Sequence, residues 1–266
     1  MDFNSCELFE EEIRSGKIAV GCVITFTDPA VTELAADSGM DFCWIDAEHG
    51  PLDRLTVQNH IIALRGTRCA PLLRVPDNDY TEIKKLIDLG PAGIIVPMVH
   101  NAEEARRAVD SCRYPPIGSR GAGFRRAVHY GAADVREYWR RSETEPLVIL
   151  QLEHIEACRN LDEILAVPGI YAMLVGPYDL SASMNCPGNF DDPEFNRVLD
   201  EACAKIRRAG VVLGAYTETN YERWIRRGVQ FFGTVNDTGA MFDGFRRKAA
   251  ELRGALAAEK ADGRNV

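Results

Sequence analysis

The sequence lacks the features of secreted proteins, of membrane-spanning proteins and of proteins that bind zinc through paired cysteines. Its eight cysteines are scattered and form no C-x-x-C pair, which argues against a zinc site and favours reduced thiols packed as small apolar groups. No apolar run approaches the roughly 20 residues that span a bilayer. The first residues, MDFNSCELFEEEIRSGK, are acidic and amphipathic, without the apolar core of a signal peptide. We therefore expect a cytoplasmic protein without a membrane partner.

Basic residues are also in deficit. The chain has 31 lysines and arginines against 40 aspartates and glutamates, so its net charge is −9. Nucleic acids and anionic membranes need a basic footprint, and neither is expected as the main partner. A small anionic substrate would require a local cluster of basic groups that overrides the overall charge.

What the sequence does contain is a regular alternation of apolar runs and helical stretches. Eight runs lie at 18–26, 42–48, 70–75, 93–99, 147–153, 171–177, 211–217 and 231–235. Most are continuously apolar, as in parallel strands buried on both faces. The length of 266 residues allows one or two domains. Eight strand–helix units without a break in composition predict one α/β domain over 1–266, a closed (β/α)₈ (TIM) barrel.

Two long connections interrupt this rhythm, at 113–146 and at 180–196. Each follows a predicted strand, so both are expected at the C-terminal rim, where barrel enzymes carry their active sites. The first is basic and rich in glycine. It is interpreted either as a mobile cover over an anionic ligand, with Arg113 and Arg120 facing that ligand, or as a solvated loop.

Polar side chains lie at the ends of several predicted strands. Burying them there costs free energy unless they find hydrogen-bonding or charged partners. They are Asp46, Glu48 and His49 at the end of strand two, Arg74 at the end of strand three, Gln151 and Glu153 at the end of strand five, and Asp179 just beyond strand six. Strand alternation puts Gln151 and Glu153 on the same side. Aromatic residues Phe42, Trp44 and Trp224 are interpreted as packing.

The two carboxylates Glu153 and Asp179 come from neighbouring strands and could hold a hard divalent cation such as Mg²⁺ or Mn²⁺. The alternative is that each pairs with an arginine or caps a helix. His49 is a candidate base because the same rim carries Arg74 and these carboxylates, although a lone histidine at a strand end is often structural. The Gly-Pro turn of GPYDLSAS could cradle a carboxylate through its backbone amides, or be an ordinary turn.

Four stretches of the chain resemble the HpcH/HpaI aldolase family, the metal-dependent (class II) pyruvate aldolases related to 2,4-dihydroxyhept-2-ene-1,7-dioate aldolase. They are DFCWIDAEHGPLD, LLRVPDNDYTEIKKLIDLGPAGIIVPMVHNAEEARRAVDSCRYPPIGSRGAG, QLEHIEACRNLDEILAVPGI and VGPYDLSASM. They follow one another in the family's order and spacing over about residues 10–245. RYPPxGxRGxG together with GPxDLS identifies the chain as a member.

The resemblance implies a TIM barrel that forms a homo-oligomer, a hexamer or trimer of dimers, with one helix exchanged between subunits. It also implies an aldolase, a carbon–carbon lyase that cleaves or forms a 4-hydroxy-2-oxo acid through a metal-bound enolate. The products of cleavage would be pyruvate, or a close 2-oxo acid, and an aldehyde. Glu153 and Asp179 would bind the divalent cation (Mg²⁺, Mn²⁺ or Co²⁺), which would hold the 2-oxo acid by its carboxylate and C2 carbonyl.

The resemblance further assigns roles to single residues. Arg74 would stabilise the enolate at the C2 oxygen. His49, made more basic by Asp88, would remove the proton of the C4 hydroxyl, directly or through water on the metal. The topology nevertheless puts Asp88 at the end of a helix, at the opposite end of the barrel. The pyruvoyl part would contact Gln151 and the turn formed by Gly176, Pro177, Tyr178 and Asp179.

Departures from the family fall where the aldehyde is expected to bind. Tyr178 stands where members often have a small residue, FRRAVHYG replaces a serine- and alanine-rich stretch in the expected lid, and strand eight ends TVND, without the usual glycine before the acidic Asp237. The aldehyde therefore stays undetermined.

Three alternative functions were weighed beside the aldolase. The first keeps the enolate but changes its source or fate: oxaloacetate decarboxylation, or capture of the enolate as in macrophomate synthase. An acyl-CoA lyase would need a CoA site, for which the sequence offers no support. A non-enzymatic barrel would be expected to lose a site residue, and none is lost.

Overall fold

Eight parallel strands close into a barrel in the computed structural model, which describes residues 4–261 apart from the side chain of Lys260. The strands are β1 (Ala19–Ile24), β2 (Phe42–Asp46), β3 (Ala70–Arg74), β4 (Gly93–Val96), β5 (Leu147–Leu152), β6 (Ala172–Val175), β7 (Val212–Tyr216) and β8 (Phe231–Asn236). They pair in chain order, and β8 pairs with β1 to close the circle. Each predicted run corresponds to one strand, with β8 extending one residue beyond its run, so the TIM-barrel prediction is confirmed. The ends of the predicted domain 1–266 lie outside the described residues.

The helices cover the outside of the barrel and its lower end. They are α1 (Cys6–Arg14), α2 (Ala30–Asp37), α3 (Arg54–Ala63), α4 (Tyr80–Ile87), α5 (Ala102–Cys112), α6 (Val135–Arg141), α7 (Ile155–Arg159), α8 (Leu161–Leu165), α9 (Pro177–Ser183), α10 (Pro193–Arg208), α11 (Tyr221–Arg227) and α12 (Asp237–Ala261). A 3₁₀ segment covers Arg126–Gly131. Polar side chains begin several of the helices: Asp79 accepts hydrogen bonds from the first amides of α4, and Asn101 does so for α5.

Three phenylalanines fill the N-terminal end of the barrel. Phe9 of α1 meets Phe42 and Phe231 edge to face, with ring centroids 5.6 and 5.7 Å apart. Glycines make room for these rings, because a Cβ on Gly21 would lie 2.4 Å from the ring of Phe42 and one on Gly214 2.1 Å from that of Phe231. Among the described residues, these rings therefore fill the barrel interior at its N-terminal end.

The connection 113–146 was predicted on the C-terminal rim, and that prediction is wrong. The segment follows helix α5 and leads into β5, so it packs against the outer flank of α4 instead of above the strands. Arg113 is buried and donates to the carbonyls of Thr144 and Pro146, 3.0 Å from each. Arg120 is buried as well. Neither arginine faces an open cavity as a cover would; both side chains are buried, although much of the connection around them is exposed.

The connection after β6 does lie at the rim, but it is shorter than predicted. Residues 177–183 form α9, and α10 begins at Pro193, so the irregular part of 180–196 is confined to 184–192. None of the eight cysteines, all of which lie within residues 4–261, forms a disulfide, and six of them are buried, as expected for small apolar groups. Within residues 4–261, no helix combines the length and the apolar character needed to cross a bilayer.

Candidate active site

A cavity of about 280 Å³ opens at the C-terminal ends of the strands. Its lining comprises Val23, Thr25, Trp44, Asp46, His49, Arg74, Gln151, Glu153, Gly176, Pro177, Tyr178, Asp179, Tyr216 and Asn236. Most of the polar strand-end residues identified in the sequence are therefore brought together, because parallel strands end at the same edge of the barrel. Asp88 is the predicted site residue that does not line this cavity.

Arg74 lies at the centre of the site and is held by three neighbours. Its Nε and Nη2 donate to the two carboxylate oxygens of Asp46, at 2.9 and 2.6 Å. Its Nη1 lies 2.9 Å from Glu48 and donates to Gln151 Oε1 at 3.4 Å. The guanidinium also lies over the ring of Trp44, 5.0 Å from its centroid. A buried cation held in this way has little freedom to turn, as a group that stabilises negative charge on a substrate requires.

Asp46 is ionised because of this pairing. Burial alone raises the pKa of its carboxyl, but hydrogen bonds and charge attraction from Arg74, together with the amides of His49 and Glu48, lower that pKa below its ordinary value. The sequence identified Asp46 at the end of strand two without a role. The structure shows that it is the residue that positions Arg74.

Glu153 is a buried carboxylate in an unfavourable setting. Its Oε2 accepts from Gln151 Nε2 at 2.6 Å and its Oε1 from the amide of Met98 at 2.7 Å. Burial is the main reason that its pKa rises to about 7, and the carboxylates of Glu48 and Asp179 raise it further. The contact with Gln151 confirms that the two side chains lie on the same side of β5.

The start of α9 forms the adjoining wall. Gly176 precedes the helix, and a Cβ there would lie 3.0 Å from Glu153 Oε2, so a side chain at this position would push against the carboxylate. Pro177 is the first helical residue, which suits proline since no amide is needed there. Tyr178 is 59% exposed and packs edge-on against Phe190. Asp179 follows in the first turn of the helix.

His49 lies at the mouth of the cavity, with 68% of its side chain exposed. Its backbone amide donates to Asp46 Oδ1 at 3.2 Å, which places it at the edge of the site. Its Nε2 is 3.8 Å from Glu48 Oε2. The imidazole is thus accessible to a substrate that enters from solvent.

Asp88 lies away from this cavity. It follows the last residue of α4, at the end of the helix that leads into β4, and accepts a hydrogen bond from Arg120 Nη2 at 3.0 Å. Gly123 passes so close that a Cβ there would lie 2.3 Å from its carboxylate. The topology predicted that Asp88 lies away from the site, and within one chain the structure agrees: Asp88 does not reach the cavity that His49 lines.

Several lining residues were not recognised as part of a site in the sequence. Trp44 was interpreted as packing; it is buried, but its ring also forms part of the cavity wall. Tyr216 is the third inward-facing residue of an ordinary apolar strand, so nothing in its local sequence marks it. Asn236, at the end of β8, is the third such lining residue.

Glu153 and Asp179 are the residues here that could hold a metal. Within the described part of the chain, no three histidine, cysteine, aspartate or glutamate side chains converge on one point. Two carboxylates in an open cavity leave room for water and substrate oxygens, which suits a hard divalent cation. The raised pKa of Glu153 fits the same interpretation, since a nearby cation would stabilise its charged form.

Comparisons with known proteins agree on one family. The model of the family described as "HpcH/HpaI aldolase/citrate lyase" matches residues 20–250. A protein of Pseudomonas aeruginosa named hydroxypyruvate/pyruvate aldolase is 34% identical over 255 residues, which cover 95% of each chain.

Two solved structures show the same architecture. An HpcH/HpaI aldolase/citrate lyase family protein from Burkholderia cenocepacia superposes with a TM-score of 0.86 at 26% identity, covering 93% of this chain and 99% of the other. Macrophomate synthase superposes with a TM-score of 0.82 at 25% identity, covering 97% of this chain and 91% of the other. The chain belongs to the HpcH/HpaI aldolase/citrate lyase family, a family of carbon–carbon lyases, as its motifs predict.

Proposed function

We propose that this protein is a metal-dependent aldolase that cleaves or forms a 4-hydroxy-2-oxo acid, with pyruvate or a close 2-oxo acid and an aldehyde as the other partners. The observation that carries the proposal is the fixed, buried Arg74 beside the carboxylates of Glu153 and Asp179 in one open cavity. The name of the Pseudomonas aeruginosa relative, hydroxypyruvate/pyruvate aldolase, supports the same class of substrate.

Glu153 and Asp179 would hold a divalent cation, Mg²⁺, Mn²⁺ or Co²⁺. When bound, the cation would supply Lewis acidity toward the carbonyl of the 2-oxo acid. Gln151 and the turn formed by Gly176, Pro177, Tyr178 and Asp179 would orient the pyruvoyl group. Gln151 suits this task because its side chain is itself held between Arg74 and Glu153.

Arg74 and His49 would carry out the bond-breaking step. His49 accepts the proton of the C4 hydroxyl, and the C3–C4 bond breaks as the C4 oxygen forms the aldehyde carbonyl. The electron pair of that bond forms the enolate, whose C2 oxygen Arg74 stabilises with a positive charge that needs no reorganisation. Protonation of the enolate carbon then yields the 2-oxo acid.

We also propose that the enzyme is a homo-oligomer, a hexamer or trimer of dimers, in which α12 is exchanged between subunits. This helix exposes Met241, Phe242, Phe245, Leu252 and Leu256, an apolar surface of a kind that marks interaction sites. Asp88 would then act on His49 of the neighbouring subunit, since the two lie apart within one chain. The free thiols support a cytoplasmic location.

The alternative function keeps the enolate but obtains it by decarboxylating oxaloacetate, or passes it to another electrophile. The structural similarity to macrophomate synthase supports this alternative. Release of CO₂ from oxaloacetate faster than any aldol cleavage would decide for this alternative.

The test is exchange of the methyl protons of pyruvate with deuterated water, followed by NMR, after chelation and re-addition of Mg²⁺, Mn²⁺ or Co²⁺. We expect metal-dependent exchange in the wild type and its loss in E153Q and D179N. The matched control is E156Q, a change at an exposed glutamate outside the cavity lining. Wild-type enzyme that fails to exchange with every metal would exclude the proposed function.

A further inference from the structure

Three polar residues at the ends of β7 and β8 form a hydrogen-bonded cluster that the proposed reaction does not use. Tyr216 donates to Glu218 Oε1, and Asn236 Nδ2 donates to the same oxygen at 3.1 Å and to the Tyr216 hydroxyl at 3.2 Å. Asn236 is fixed from behind, because its Oδ1 accepts from the amide of Gly239 and from the Thr238 hydroxyl, both at 2.6 Å. We call Tyr216, Glu218 and Asn236 the polar wall.

The polar wall borders the active-site cavity on the side away from Arg74. Tyr216 and Asn236 line that cavity directly. Tyr216 also lines a second cavity of about 140 Å³, together with Pro177, Tyr178 and Glu218. Pro177, Tyr178 and Tyr216 contribute to the linings of both cavities, so the second cavity lies directly beside the first.

The residues proposed to bind the 2-oxo acid lie on other strands than the polar wall, which leaves the wall to the aldehyde-derived part of the substrate. Arg74, Gln151 and Glu153 come from β3 and β5, and Asp179 from the helix after β6. β7 and β8 carry none of these groups. The part of the substrate beyond C4, which is the aldehyde before bond formation, is therefore the part that would reach the polar wall.

The charge of the wall limits which aldehydes it suits. Among the described residues that line the active-site cavity, the basic side chains are His49 and Arg74, and Arg74 is occupied by Asp46 and Glu48. Arg223 and Arg227 line the second cavity, but they are paired with Asp191 and Asp200, at 3.1 and 2.6 Å. A carboxylate on the aldehyde would meet the charge of Glu218 without a free cation to balance it.

Hydroxyl groups suit the wall much better. A hydroxyl can donate to the Glu218 carboxylate, which keeps acceptor capacity beyond the two hydrogen bonds at its Oε1, one from Tyr216 and one from Asn236. Hydrogen bonds to a charged group are the stronger kind, and a site built for them rejects analogues that lack the hydroxyl.

We propose that the polar wall selects uncharged hydroxyaldehydes as the aldehyde partner, over unsubstituted aldehydes and over those with a carboxylate. The proposal rests on the proposed aldolase function and adds to it the class of the second substrate. Tyr216, Glu218 and Asn236 are thus specificity-determining residues.

The test compares kcat/KM for three aldehydes with pyruvate: glyceraldehyde, propanal, which has the same carbon chain without hydroxyls, and succinic semialdehyde, which carries a carboxylate. For the wild type we expect glyceraldehyde to exceed both others by about tenfold or more. In E218Q, which removes the charge from an exposed side chain, the ratio of glyceraldehyde to succinic semialdehyde should fall about tenfold. Y216F should lower the ratio of glyceraldehyde to propanal, mainly by raising KM for glyceraldehyde.

The control variant is E222Q, the same chemical change at an exposed position of α11 outside both cavities, for which all ratios should equal those of the wild type. Proton exchange of pyruvate in the wild type separates the two proposals. Exchange combined with equal or better use of propanal or succinic semialdehyde would overturn the assignment of the wall alone. Absence of exchange would overturn the wall together with the aldolase function.

Discussion

In the proposed reaction, Arg74 is the residue that stabilises the enolate. Its side chain is buried, so bulk water competes little with a substrate oxygen for the guanidinium. Two parallel contacts with Asp46 fix the plane of the guanidinium, which a lysine ammonium cannot reproduce.

Replacement of Arg74 by lysine should therefore lower kcat for aldol cleavage by about 10²–10³-fold, the usual effect of losing a preorganised donor to an oxyanion. Steady-state kinetics of R74K measures this. The matched control is R140K, at an exposed arginine that pairs with Glu137 in the same two-point manner, and it should leave kcat unchanged. Full activity of R74K would exclude a catalytic role for the guanidinium.

Glu153 makes stability depend on pH in the metal-free protein. Its folded pKa, about 7, lies above the ordinary value of 4.5, so the folded state holds the proton more tightly than the unfolded state. The resulting stabilisation is fully present below pH 4.5 and is lost as the pH rises through 7. The shift corresponds to at most about 3 kcal/mol.

E153Q removes this dependence. We expect the free energy of unfolding of E153Q minus that of the wild type to increase by about 2–3 kcal/mol between pH 4.5 and pH 8, without metal. Denaturant titrations at several pH values measure it. A difference in unfolding free energy that is the same at every pH would come from altered hydrogen bonding. Only the part of the difference that changes with pH reports the pKa shift of Glu153. A flat difference for E153Q would contradict the shift.

Among the elements, the strands β1 and β7 depend on glycine for their packing in the barrel interior. Gly21 and Gly214 lie where the rings of Phe42 and Phe231 cross the barrel axis, and neither ring has space to withdraw because Phe9 presses on both. An added methyl group would force these rings out of their preferred rotamers.

G214A should accordingly lower the free energy of unfolding by about 1–3 kcal/mol. G121A, where the added Cβ would lie at an ordinary contact distance of 3.5 Å from the Tyr80 hydroxyl, should change it by no more than about 0.5 kcal/mol. Thermal and denaturant unfolding of both variants test this. Adding F231L to G214A should recover part of the loss, and a G214A protein as stable as the wild type would show that the rings are not confined.

At the scale of the whole molecule, the position of Asp88 bears on assembly. It sits beside Arg120 on the outer side of the barrel, while His49 sits at the cavity mouth. If Asp88 raises the basicity of His49, as the family resemblance implies, two subunits must share one active site.

Mixed oligomers test this arrangement. H49N and D88N should each have low activity alone. When they are unfolded together in equal amounts and refolded, about a quarter of the sites should contain an intact His49 and an intact Asp88 from different chains, so activity should rise. Mixing the assembled proteins without unfolding is the control. No gain after joint refolding would mean that Asp88 does not act on a neighbouring subunit.

The sequence by itself determined the architecture and most of the keto-acid half of the site. Eight apolar runs separated by helical stretches specify a parallel barrel, whose strands end at the same edge, and strand alternation brings Gln151 and Glu153 together. These inferences need only local periodicity. That is why Arg74, Glu153 and Asp179 could be expected in one place.

Tertiary structure alone decided the pairing of Arg74 with Asp46, the outward path of 113–146, and the union of Tyr216, Glu218 and Asn236 into one wall. Each depends on how far one strand is shifted against the next, or on which side of a helix a connection runs. Local sequence does not encode these features, because they are set by packing between segments far apart in the chain.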